Sequence, residues 1–333
     1  MTSEYANARL GDRQDMMRKI VVKHDRFNQA YGGIERFHRP VKDGVHDTGS
    51  IGVLIGDSRT GKTFAAKQYV KGFPQSVGAE GMIFPVVRAD MPAEGGAAAI
   101  LHAIAESLGL SVTSRMNNTA VFAAIKRALL RSGTELLILD ESEQFAKTDR
   151  TGVLTYVKDL LRKLVDIGTL NVLCIGLEST YDALSGDPRL VGRGLLPYTR
   201  LIPYEWKSSQ DKMQFRALCN AFDERLPFKD RSHLGSLEMA ARLHHVSEGN
   251  IGRLHDIIYF AGCAALNDGS DALEMTHFAE AYESRRPYGS PFNPFVHDLA
   301  AAPLAPAAAG RMDKVSASIF GKKRSAPDVF AKH

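Results

Sequence analysis

The sequence predicts an α/β fold: a parallel sheet with flanking helices, then a small helical lid and a flexible C-terminal tail. Three observations carry this. Short apolar runs with strand character alternate with helical periodicities as far as Trp206. A glycine-containing loop joins the first of these runs to the helix after it. Beyond Trp206 the strand signals stop, while helical patterns continue to Arg285.

The strand-like runs are 51–55, 82–87, 136–139 and 172–175. Between them, 97–108 and 121–130 read as helices, and Val153, Val157, Leu160, Leu161 and Leu164 line one face of another. After the sheet, 208–222, 237–246, 251–266 and 276–285 read as helices, joined by short segments containing Pro227, Gly249, Asn250 and Gly269. The predicted organisation is an N-terminal helical segment over 1–48, an α/β core over 49–206, a helical lid over 207–286 and a tail over 287–333. The tail opens with "PYGSPFNPF", runs through an Ala/Pro stretch over 300–309 and ends in a short basic and apolar piece. It offers little apolar surface to offset the entropy of ordering. It therefore reads as a flexible linker carrying a short partner-binding segment, or as a plain solubilising tail.

Composition sets outer bounds. With 333 residues, 44% hydrophobic and 24% charged, disorder throughout is excluded. No apolar run approaches membrane-spanning length, and Arg9, Asp12, Arg13, Asp15, Arg18 and Lys19 make the first residues too charged for a secretory leader, so a cytoplasmic chain without membrane partners is expected. Cys174, Cys219 and Cys263 are far apart in apolar surroundings and read as core thiols. The net charge of +4 comes from the end of the chain: residues 286–333 hold seven basic and three acidic side chains, leaving 35 of each sign on 1–285. The body has no compositional basic face, so any nucleic-acid role must rest on local clusters or on repetition of the subunit.

The strongest chemical signal is "GDSRTGKT", which spans Gly56, Asp57, Ser58, Arg59, Thr60, Gly61, Lys62 and Thr63, with Phe64 following. In the pattern G-x-x-x-x-G-K-[ST], the glycines let backbone N–H groups turn around a β-phosphate while the next helix presents its positive end. Lys62 is expected to reach the β and γ phosphates, and Thr63 to ligate Mg²⁺ through its hydroxyl. Arg59 either adds a cation near the phosphates or faces solvent. The run "LLILDE" ends in Asp140, expected to hold Mg²⁺ through a water, and Glu141, expected to polarise the attacking water. An acid after the metal-binding Asp favours hydrolysis over transfer to a small acceptor. After the 172–175 strand, Glu178 or Ser179 is the candidate γ-phosphate sensor, with helix capping the competing role for Ser179 or Thr180. In "DPRLVGRGLLP", Arg189 and Arg193 lie where an arginine can reach a neighbouring subunit's nucleotide, with Arg193 preferred. Arg253, opening a lid helix, is a candidate to fold back onto the same phosphates.

In this order and spacing, the loop "GDSRTGKT", the strand end "LLILDE", the sensor-like strand, the "DPRLVGR" arginines and the "GNIGRL" lid helix resemble an AAA+ ATPase. More narrowly, "HDRFNQAY", "VVRADMPAEGGAAAILHAIAESLG" and "SPFNPF" resemble the TniB and TnsC group of transposition regulators, over roughly residues 19–295. The resemblance implies ATP bound at subunit interfaces, homo-oligomeric rings or filaments around duplex DNA, and presentation of that DNA to a transposase with a TniQ-type adaptor. Hydrolysis then drives disassembly. It also puts the segment from His24 to Phe27 near the adenine. For DNA, with little sequence preference, the candidates are Arg115 with Asn117 and Asn118 in "SVTSRMNNT", and Lys147 with Arg150 in "AKTDR". The alternatives are a helicase loader or replication initiator of similar build, a small-molecule kinase, and a nucleotide-gated interaction module with little turnover. The acid pair, the two arginines and the lid speak against the kinase.

Overall fold

The computed structural model describes residues 8–79, 81–94, 96–113, 115–146, 151–192 and 196–301. Helices α1 (Leu10–Arg18) and α2 (Asp25–His38) precede strand β1 (Ile51–Gly56) and α3 (Lys62–Lys71). A hairpin of β2 (Ser76–Gly78) and β3 (Gly81–Ile83) leads to β4 (Val86–Asp90), α4 (Ala97–Ser107), α5 (Asn118–Arg131) and β5 (Leu136–Asp140). Then come α6 (Glu143–Ala146), α7 (Thr151–Val165), β6 (Asn171–Gly176), α8 (Glu178–Ser185), α9 (Pro188–Val191) and β7 (Tyr198–Leu201). The lid is α10 (Ser209–Asp223), α11 (Leu237–Ser247), α12 (Ile251–Asp268) and α13 (Met275–Glu283).

The sheet has the order β4-β5-β6-β1-β7, and every pairing in it is parallel. Because strand side chains alternate between faces, the buried runs feed two separate cores. Leu54, Leu136, Ile138, Leu173 and Ile175 pack against Phe27, Ala30 and Ile34 of α2 and Ala65, Ala66 and Tyr69 of α3. Val53, Ile55, Leu137, Leu139, Val172 and Cys174 pack on the opposite face against α4, α5, α7 and α8. A third core joins the four lid helices.

Four expectations change. The strand expected over 82–87 is divided at Pro85, which has no N–H for the ladder; its carbonyl still accepts from Glu135 N (2.8 Å). Strand β7 was not foreseen, because "YTRL" is short and half polar, as suits a sheet edge. The N-terminal segment is not one unit: α2 covers the sheet, whereas Met17 and Val22 enter the lid core. The tail boundary at 287 also moves. Phe292, Asn293 and Phe295 are buried, the Phe295 ring stacks on Phe278 at 5.3 Å, Asn293 Nδ2 donates to Ala279 O (3.0 Å), and Arg242 donates to His297 O (2.9 Å). Residues 291–297 therefore belong to the lid, and the basic end of the tail lies outside the described residues. Cys174 and Cys219 are buried as expected, while Cys263 is only partly so. Among the described residues no helix is long and apolar enough to cross a membrane.

Candidate nucleotide site

The parallel strands direct their carboxyl ends to one edge of the sheet, where open α/β sheets bind ligands. Strand β1 ends there at Gly56 (φ +155°), where an added Cβ would lie 2.3 Å from Leu201 O, so a side chain is excluded by β7. The loop then turns through Arg59 (φ +66°) and Gly61 (φ +95°) into α3. Lys62 is buried at the start of that helix, and its Nζ donates to Gly56 O and Asp57 O, both at 2.7 Å. Burial pushes its pKa down, against the pull of Glu143, Asp140 and Asp57. Thr60 Oγ1 donates to Asp57 O (2.8 Å) and closes the turn.

Asp140, at the end of β5, is 1% exposed and fully engaged. Its Oδ1 accepts from Thr63 Oγ1 (3.2 Å) and Glu141 N (3.0 Å), while Oδ2 accepts from Arg88 Nη1 (2.8 Å). Arg88 also donates through Nη2 to Asp90 (2.9 Å), the register partner of Asp140 on β4. A hydroxyl and a carboxylate that converge in this way are the hard oxygen donors Mg²⁺ accepts beside phosphates and waters. The pair therefore fits a metal that arrives with a triphosphate. Glu141 is exposed, with a left-handed backbone (φ +57°) that costs about 1 kcal/mol in a non-glycine residue. Partial burial, then the neighbouring charges of Asp140, Glu143 and Asp90, raise its carboxyl pKa.

Beside the loop lies a cleft of about 450 Å³, walled by Val21, Val22, His24 and Phe27, by residues 59–64, and by Phe222, Ile251 and His255 of the lid. Its apolar side suits a base. Phe64 packs on Phe27 with ring centres 5.8 Å apart. His24 Nδ1 shares a hydrogen bond with the Tyr204 hydroxyl (3.0 Å), and burial followed by Arg26 pushes its pKa down to about 4, so the imidazole is neutral near pH 7.

The lid is fastened directly to the loop. Asn250 caps α12 by accepting from Gly252 N (3.1 Å), and its Nδ2 donates to Ser58 O (2.8 Å). Gly252 N donates to Arg59 O (3.0 Å), and Arg59 pairs with Asp256 on the next turn (2.5 Å). A Cβ at Gly252 would meet Arg59 Cβ at 2.8 Å and Arg59 O at 2.9 Å. Gly252→Ala should therefore weaken ATP binding by about tenfold or more in titration calorimetry, although alanine favours a helix over glycine by about 1 kcal/mol. Unchanged affinity would show that the contact does not hold the loop.

Other expected residues lie elsewhere. Arg253 pairs with Glu248 and does not line the cleft. Arg189 pairs with Asp187 at the start of α9 (3.2 Å) and is 59% exposed. Of the sensor candidates, Glu178 pairs with Arg200 and Ser179 is exposed; Thr180, read from the sequence only as a possible cap, is fully buried and its hydroxyl makes no hydrogen bond among the described residues. A Cβ at Gly176 would lie 2.2 Å from Thr180 Oγ1 and 2.9 Å from Glu143 Oε2, so these two groups sit together behind the strand end. Arg115 and Asn118 are exposed, and Asn117 caps α5 by accepting from Ala120 N (2.9 Å). Arg193, Lys147 and Arg150 lie outside the described residues.

Sequence reasoning missed Arg88, Glu143 and Asn250. Arg88 had a usable signal: in "VVRAD" it lies two residues from Asp90, hence on the same face of the strand. Removing it strips Asp140 of its cation. Arg88→Gln should destabilise the chain by about 2 kcal/mol in urea titration, the worth of a hydrogen bond to a charged group, and Asp140→Asn in the same chain should restore part of the loss.

A family model described as an AAA domain matches residues 45–184. No curated protein matches this sequence. Solved structures do. The Aeropyrum pernix ORC1 protein in complex with DNA has a TM-score of 0.61 and 17% identity, over 81% of this chain and 69% of that one. The Aeropyrum pernix ORC2 protein in ADPNP–ADP complexes has a TM-score of 0.57 and 14% identity, over 80% and 69%. Drosophila ORC bound to DNA has a TM-score of 0.53 and 15% identity, over 85% and 67%. At such identities the likeness is one of fold.

Proposed function

We propose, on the premise that this chain has the AAA+ P-loop fold, that it binds and hydrolyses ATP and uses the nucleotide to assemble on duplex DNA. The observation that carries the reading is the convergence of Lys62, Thr63, Asp140 and the adjoining Glu141 beside a cleft roofed by the lid. Lys62 would exchange its loop carbonyls for β and γ phosphate oxygens, and Thr63 and Asp140 would hold Mg²⁺. Glu141 would take a proton from water as that water attacks the γ phosphorus. The bond to the bridging oxygen breaks, and ADP and phosphate leave. Arg193, or Arg189, would come from an adjoining copy to stabilise the developing charge. Arg253 would reach the phosphates only after leaving Glu248. Arg115, Asn117, Lys147 and Arg150 would meet the DNA backbone, a weak contact per copy that repetition multiplies.

In the finer reading the chain is a transposition regulator that recruits a transposase and a TniQ-type adaptor to the target, supported by the segments that resemble the TniB and TnsC group. A second reading, replication initiator or helicase loader, is favoured by the DNA-bound ORC structures among its structural neighbours. Imaging the full chain with duplex DNA and a non-hydrolysable ATP analogue tests the common core. ATP-dependent rings or filaments with nucleotide between copies are expected, and monomers under all conditions would overturn the reading. Co-purification of a transposase or of a replicative helicase then separates the two finer ones.

A further inference from the structure

We infer that the groove between the hairpin strand β3 and the C-terminal half of α5 is a docking surface for an acidic segment of a partner protein that carries apolar anchors. The groove lies at the amino ends of the strands, the edge of the sheet opposite the nucleotide loop: α5 runs out at Arg131 and the chain enters β5 five residues later. It holds about 360 Å³. Its floor is apolar, made by Met82, Phe84, Leu108 and Leu110, and Arg127 and Arg131 stand on its rim one helical turn apart. Met82 is 44% exposed, and Leu130, next to the rim, is 45% exposed.

The charges make the groove selective. Helix α5 has no acidic residue, so Lys126, Arg127 and Arg131 are unbalanced on their own element. All three are exposed, and among the described residues none makes an ion pair or a hydrogen bond. On a chain whose first 285 residues are charge-neutral in sum, this is a local excess of positive charge beside exposed apolar surface. Arginine on such a rim suits bidentate pairing with carboxylates. The chain's own tail is a poor occupant, since residues 302–333 carry six Lys and Arg against two Asp and would be repelled. Duplex DNA would answer the two guanidinium groups but leave the apolar floor uncovered. An acidic segment with Leu- or Phe-type anchors answers both. The surface is independent of the nucleotide chemistry, so either reading can fail without the other.

The test pans a displayed library of random peptides on the full-length chain and measures the enriched peptides by fluorescence anisotropy. Asp and Glu flanking apolar anchors are expected in the enriched peptides. Arg127→Glu with Arg131→Glu should weaken them at least about tenfold, with ATP binding and circular dichroism unchanged. A second variant, Met82→Asp, should weaken them as well. Enriched peptides without acidic bias, the failure of any peptide to enrich, or equal binding to the doubly reversed chain would overturn the proposal. So would a comparable loss of affinity for duplex DNA in that variant, which would mark a nucleic-acid surface instead.

Discussion

Glu141→Gln should lower ATP hydrolysis by about 10²–10⁴-fold while leaving ATP affinity within about twofold of the parent chain. The asymmetry follows from geometry. Glu141 makes its backbone bond to Asp140 Oδ1 through its own N–H, which glutamine retains, and its exposed side chain holds neither the loop nor Lys62. Only the proposed proton acceptor is lost. If the assembly is nucleotide-dependent, the variant should also trap long-lived complexes on DNA, visible as slow dissociation after dilution. The pH profile gives an independent check. Because partial burial and the nearby carboxylates raise the Glu141 pKa, its acid form persists to higher pH than in an ordinary glutamate. Hydrolysis should therefore fall on acidification beginning above the usual carboxylate range, and that limb should vanish from the residual activity of the glutamine variant. Equal loss of binding and hydrolysis would remove Glu141 from the role of base.

Lys62→Ala should abolish nucleotide binding at concentrations where the parent is saturated, a loss of at least about 100-fold in calorimetry. The ammonium would form charge-assisted bonds to the β and γ phosphates, each worth about 1.5–3 kcal/mol, and alanine replaces none of them. The free protein should tolerate the change. Among the described residues, Nζ donates to two main-chain carbonyls of an open loop and lies 3.4 Å from the Thr60 hydroxyl, and burial already works against the charge. ATP should accordingly raise the melting temperature of the parent and not that of the variant. A variant that still binds ATP tightly would mean that the phosphates lie elsewhere than against the loop.

Much of this molecule was legible in the sequence because the relevant physics is local. Apolar runs specify buried strands, and the spacing of Gly56, Gly61, Lys62 and Thr63 specifies a loop whose geometry depends on adjacent residues. An acid pair at the end of such a strand declares itself. Errors arose where a single residue or a distant partner decides. Pro85 cuts a run that hydropathy reads as continuous, and "YTRL" becomes a strand only because β1 offers it an open edge. "SPFNPF" looks like linker until Phe278 and Arg242 are brought beside it.

By itself the sequence determined the βα order, the glycine-containing loop after β1, the carboxylates beside it and the helical nature of the lid, since each follows from patterns shorter than about twenty residues. The tertiary structure decided which charge meets which. It set Arg88 on Asp140, turned Arg253 toward Glu248, tied Asn250 and Gly252 to the loop from nearly two hundred residues away, and left Arg127 and Arg131 without partners among the described residues, beside an apolar groove. Hydrogen bonds and ion pairs act over a few ångströms in space, whatever the separation along the chain, so pairs of this kind become visible only once the strands and the lid are packed.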